Sequence, residues 1–105
     1  MLRIYDVVLG VIEGLRPVIE MIERRDADLA QQMRRASSSV ALNVAEGAYS
    51  RGKNRPLRYA TALGSMRETL ACIEVGVAQG YGPRVDAELL DAIDHVQATL
   101  FKVVR

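Results

Sequence analysis

Ala36-Ser-Ser-Ser-Val-Ala-Leu-Asn-Val-Ala-Glu-Gly47 is the stretch whose reading decides the fold. Extended back to Leu29, it places Leu29, Met33, Ala36, Val40, Asn43 and Gly47 on a single heptad stripe, the pattern of one helical face. An amide and a carboxylate then stand where a simple bundle would carry aliphatics. Asn43 is expected to face the core, and Glu46 to lie on its flank.

The same rhythm recurs on either side. Ile4, Val8, Val11, Leu15, Val18 and Ile22 mark a helix over about residues 2–24, which Pro17 is expected to kink without breaking its phase. Tyr5, Ile12 and Ile19 on one side and Val7 and Met21 on the other widen its apolar face to about 200°, suggesting a second contact, most simply another copy of the chain. The second helix, residues 28–50, opens on Asp28 and Gln31, spaced like a capping box. Its three central serines are small enough for a neighbouring helix to approach closely.

Gly52 then fits a C-terminal stop, Asn54 an N-cap and Pro56 a first-turn residue. The third helix, residues 55–79, carries Tyr59, Leu63, Met66, Leu70, Ile73 and Val77, with a small-residue seam of Ala60, Gly64, Ala71 and Ala78 bordered by Glu68. Gly80 caps it. Pro83 is expected to open the fourth helix, residues 83–104, whose stripe is Leu89, Ile93, Val96, Leu100 and Val103. Four helices joined by short turns predict an all-α protein, an antiparallel up-down-up-down four-helix bundle forming one domain over residues 1–105.

Composition narrows the function classes. The longest apolar runs fall far short of the roughly 20 residues that span a bilayer, and charges at Arg3, Asp6 and Glu13 interrupt any signal-peptide pattern. One cysteine, Cys72, rules out an internal disulfide framework and a Cys-pair zinc site. A soluble cytoplasmic protein without membrane contact is expected. Net charge is only +1, but residues 34–58 hold Arg34, Arg35, Arg51, Lys53, Arg55 and Arg58 against Glu46 alone, a local +5. The final segment, 81–105, is net −1.

Most catalytic chemistries lack their parts. A di-iron bundle needs two Glu-x-x-His motifs, and the single histidine, His95, stands beside Asp91 and Asp94. Helical-bundle ribonucleases place an arginine a few residues before a histidine, whereas Arg84 precedes His95 by eleven. Cys72, across its helix from the apolar stripe, has no histidine nearby and reads as a structural thiol. No metal or cofactor is expected, nor an enzyme. A mutase-like site of Arg34, Arg35, Glu46, Arg67 and Glu68 inside the bundle is the alternative. A buried Asn left unpaired costs roughly 1–3 kcal/mol, so Asn43, Glu46, Gly47, Gly64, Ser65 and Glu68 read as a polar core that locks helix register. The turn with Arg51, Lys53, Arg55 and Arg58, flanked by Tyr49 and Tyr59, suits phosphates and stacked bases, with Arg34 and Arg35 in support.

Met33-Arg-Arg-Ala36, Asn43-Val-Ala-Glu-Gly47, Ser50-Arg51, Ala62-Leu-Gly-Ser65 with Glu68, and Gly80-Tyr81 resemble the four-helix-bundle family encoded in intervening sequences of bacterial large-subunit ribosomal RNA. Family members are similar in fold to the accessory protein of diversity-generating retroelements, a five-fold barrel that binds nucleic acid and a reverse transcriptase. The resemblance implies a homo-oligomer, a pentamer being favoured, with no established enzymatic activity. A nucleic-acid-binding or scaffold protein, taking RNA or DNA through the basic turn, is therefore the expected function. A protein-interaction module that docks a protein partner without binding nucleic acid is the alternative.

Overall fold

The computed structural model describes residues 2–104. Met1 and Arg105, the latter counted in the acidic final segment, lie outside them. Four helices follow in order: α1 (Leu2–Glu23), α2 (Ala27–Tyr49), α3 (Asn54–Ala78) and α4 (Ala87–Val104). No strand occurs among the described residues. Each helix packs on its neighbours in a ring, α1 on α2, α2 on α3, α3 on α4 and α4 on α1, with α2 and α3 in the most extensive contact. Short connections and this ring of contacts are compatible with an up-down arrangement.

The α1 stripe is buried throughout, and α1 continues unbroken through Pro17. Ile19 is buried too, while Tyr5, Val7 and Ile12 pack half-buried against the core. The wide apolar face is thus mostly absorbed within one chain. It does not require a second copy.

Three boundaries move for local reasons. The N-cap of α2 is Asp26 in place of Asp28: its extended backbone lets Oδ1 accept from the Leu29 amide at 3.0 Å. At α3, Asn54 is already helical, and the preceding Lys53 makes no side-chain cap bond. The fourth helix starts at Ala87, four residues later than Pro83. Gly82 takes a left-handed φ of 71°, Pro83 is buried, and the Asp86 carboxylate accepts from the Leu89 amide at 2.8 Å. Gly80 does end α3, at φ 80°, in a Schellman arrangement. The Gly80 amide donates to Val77 O and the Tyr81 amide to Gly76 O, both at 3.0 Å.

The core departs from a strict heptad reading in α2 and α3. An α-helix has 3.6 residues per turn, so a 3.5-residue stripe drifts by about 20° per heptad. Two heptads beyond Leu29, Val44, 1% exposed, has replaced Asn43 as the inward residue. In α3 the buried face includes Thr69, Cys72 and Gly76, while Val77 is 59% exposed. Cys72 therefore lies within the core, and burial, then the nearby Glu68, pushes its thiol pKa up.

Candidate functional site

The polar residues of the opening stretch form a seam between α2 and α3. Ser39 and Ser65 meet hydroxyl to hydroxyl at 2.8 Å, and the Asn43 amide donates to Ser39 O at 2.9 Å and to Ser39 Oγ at 3.1 Å. Thr69 donates to Ser65 O at 2.9 Å, continuing the line along α3. The serine-rich segment thus brings two helices close, as its small side chains suggest. The seam is half-buried, however, and Asn43 stands on its edge and not in the core.

Glu46, Gly64 and Glu68 take no part in this network. All three are exposed, and a Cβ on Gly64 would meet nothing within 4 Å. Of the expected polar core, Asn43 and Ser65 meet here, with Ser39 of the central serines as the residue that joins them. Gly47 has a different role: a Cβ there would lie 2.6 Å from Cε1 of Tyr59, whose ring is 2% exposed. Glycine is required because Tyr59 crosses the helix backbone at that point. Tyr59 is accordingly a core residue and is withdrawn from any base-stacking role.

Among the described residues, the parts of the mutase-like alternative do not come together inside the bundle. Arg34, Arg35, Glu46, Arg67 and Glu68 are all exposed, and among the described residues no buried side-chain nitrogen or oxygen lacks a partner. Nor does any group of three His, Cys, Asp or Glu side chains there come together as a metal site. No described helix is long and apolar enough to cross a membrane.

The basic residues divide into two groups. Arg34 forms a two-pronged pair with Glu23 of α1, at 2.8 and 3.2 Å. This contact holds the Glu23 carboxyl below its ordinary range and raises the Arg34 pKa. Arg55 turns back on α2, its Nε donating to Gly47 O at 3.2 Å and Nη2 to Ala48 O at 3.0 Å. It adds a side-chain donor at the helix end, where the last carbonyls lack partners of the regular helical kind. These two arginines have structural work.

Arg35, Arg51, Lys53 and Arg58 are exposed and form no ion pair among the described residues. The last three surround a turn that Gly52 makes with a φ of 59°. Ser50 closes α2 by donating its amide to Gly47 O and its hydroxyl to Glu46 O. Tyr49 and Leu57, on either side of the turn, are 84% and 65% exposed. The Arg55 cap was beyond sequence reasoning, because it depends on how two helices meet across the turn. Asp26 carried a usable signal, an acidic residue three positions before Leu29, the first buried residue of α2.

The chain matches the model of the 23S rRNA-intervening sequence protein family over residues 12–102. It belongs to that family. The matched span includes the Ser39–Ser65 seam, the Gly47–Tyr59 contact and the whole basic turn. No curated protein and no solved structure matches the chain significantly. In this 23S rRNA-intervening sequence protein, the α2–α3 turn gathers three exposed cations that have no ion pair among the described residues, and the stretch Asn43-Val-Ala-Glu-Gly47 leads directly into it.

Proposed function

We propose that this family member is a non-enzymatic, cytoplasmic, oligomeric protein, an antiparallel up-down bundle with a pentamer favoured, that binds nucleic acid or acts as its scaffold through the α2–α3 turn. One observation carries the reading. A helix N-terminus is the positive end of its dipole and is stabilised by acidic residues. Here α2 begins with Asp26 and Asp28, and α4 with Asp86 and Glu88. The first turn of α3, like that of α1, has no acidic residue; α3 also lacks a side-chain cap, and Arg51, Lys53, Arg55 and Arg58 crowd around its start. Such a collection opposes folding locally and favours an anionic ligand, and repetition around an oligomer would multiply it. RNA or DNA phosphates supply that charge.

Self-association draws support from α3. Its outward pole, at 100° per residue, reads Leu57, Ala60, Gly64, Ala71, Val75 and Ala78, all exposed and uncharged. The same pole favours a second reading, a module that docks a protein partner and ignores nucleic acid. Titration of labelled RNA and DNA over a range of salt separates the two. Binding should weaken linearly in log affinity with log salt. Replacing Arg51, Lys53 and Arg58 by Ala should flatten that slope by roughly 0.7 per cation for a single strand, about 2 in all. Retention of no nucleic acid at about 50 mM salt, or binding indifferent to the triple substitution, rejects the first reading.

A further inference from the structure

Four tyrosines occur in this chain, and three have a structural task. Tyr59 fills the core over Gly47, and Tyr5 packs half-buried against it. Tyr81 donates its hydroxyl to Asp26 Oδ2 at 3.0 Å. Tyr49 differs. It is the last residue of α2, 84% exposed, and among the described residues it makes no hydrogen bond or ring contact. A large aromatic held in water stabilises nothing in the fold.

Its neighbours give the ring a setting. Arg51 and Lys53 follow within four residues, so their backbones lie within about 14 Å of Tyr49 along the chain. Arg58 stands one helical turn into α3, on the far side of Gly52. Arg55, spent on the carbonyls of Gly47 and Ala48, draws α3 back against the end of α2. An exposed ring is thus tethered within reach of Arg51 and Lys53, with Arg58 across the same turn, and none of the three cations has an ion pair among the described residues. In a duplex the base faces are covered by neighbouring base pairs, so a duplex offers this surface its phosphates alone. An unpaired nucleotide offers phosphate and a free π-face together.

We propose that the turn takes single-stranded nucleic acid, with an unpaired base stacked on Tyr49 and flanking phosphates on Arg51, Lys53 and Arg58. The proposal rests on the nucleic-acid reading of the turn and names its ligand class. The sequence alone offered Tyr49 and Tyr59 equally. Burial of Tyr59 leaves one stacking platform, at the α2 end.

Fluorescence anisotropy with labelled uridine and thymidine homopolymers of about 12 nucleotides, a length within the usual range of single-strand sites, tests this against duplexes of equal length. Single strands should bind about tenfold more tightly than duplexes at equal salt. Tyr49→Ala should weaken single-strand binding by roughly 5- to 150-fold and leave duplex binding unchanged. Tyr49→Phe should retain the affinity, because the face and not the hydroxyl is used. An unchanged circular-dichroism melt is expected for both variants, since the side chain lies outside the core. Duplexes binding as well as single strands, or a silent Tyr49→Ala beside a damaging Arg51/Lys53/Arg58 triple substitution, overturns this proposal while the broader reading stands. No binding of any oligonucleotide overturns both.

Discussion

Where α1 turns into α2, acidic and basic residues alternate and several are bound into the fold; where α2 turns into α3, cations accumulate. At the first turn Asp26 caps α2 and accepts from Tyr81 of the α3–α4 connection, Arg25 lies 5.6 Å over the Tyr81 ring, and Arg34 pairs with Glu23. At the second, Lys53 caps nothing, and only Arg55 among the four cations of the turn is bound into the fold. The contrast separates charge that builds the bundle from charge left available. Both turns connect helices of similar length, so connectivity alone does not require the difference. A short loop rich in arginine is informative once each arginine's partner is known.

The largest expected effect tests what holds the basic turn in place. Gly47→Ala drives a Cβ into the buried Tyr59 ring at 2.6 Å. Overpacking of this kind costs roughly 1–3 kcal/mol, against a gain of roughly 0.5–1 kcal/mol from the better helix former. Denaturant melts should show a net loss. In a Tyr59→Leu background the same Gly47→Ala change should lose most of its penalty, because the obstructing ring is gone. A single variant as stable as the parent would mean that the ring yields easily and that the turn is not anchored there.

The next effect is smaller and has two readouts of opposite sign. Lys53→Asp replaces a cation at the start of α3 with an anion, making this end resemble the other. Stability should rise by roughly 0.3–1 kcal/mol, while affinity for single-stranded nucleic acid falls more steeply than for Lys53→Ala. Loss of both stability and binding would show that Lys53 serves the fold, and the contrast between the two ends would fail.

How far the sequence reveals these features depends on range. The α1 stripe and the helix count follow from periodicity within one helix, and α1 is buried at every stripe position. Asn43 fails because a strict 3.5-residue reading is out of phase with a 3.6-residue helix after two heptads, bringing Val44 inward. Cys72, Thr69 and Gly76 were absent from the α3 stripe because their small or polar side chains mask a buried position that packing alone decides. The α4 boundary turned on Gly82, whose left-handed backbone makes Pro83 part of the connection. The site was legible as a cluster of cations. Its division into Arg34 and Arg55, which contact neighbouring elements, and Arg35, Arg51, Lys53 and Arg58, which form no ion pair among the described residues, depends on the register of α2 against α1 and α3.

The smallest effect belongs to the matched end and depends on pH. The Asp26 carboxyl is held below the ordinary range by the Leu29 amide first and the Tyr81 hydroxyl second. A carboxylate whose folded pKa is depressed contributes stability that is fully present above its unfolded pKa, near 3.8. That contribution is lost as the pH falls through the lower folded value. Tyr81 shifts the opposite way, raised chiefly by its bond to Asp26, so its contribution is present below the ordinary value of 10.0 and lost as pH rises past it. Asn at position 26 keeps an amide oxygen for the Leu29 cap but removes the charge that both shifts depend on. Thermal melts should therefore place Asp26→Asn slightly below the parent at neutral pH, with the gap closing under acid as the parent's carboxylate protonates. Tyrosine absorbance should show the raised phenol moving back towards its ordinary range, while oligonucleotide binding stays unchanged. A gap that persists at low pH would assign the loss to geometry, and the matched end would then owe its stability to packing of the turn and not to its charges.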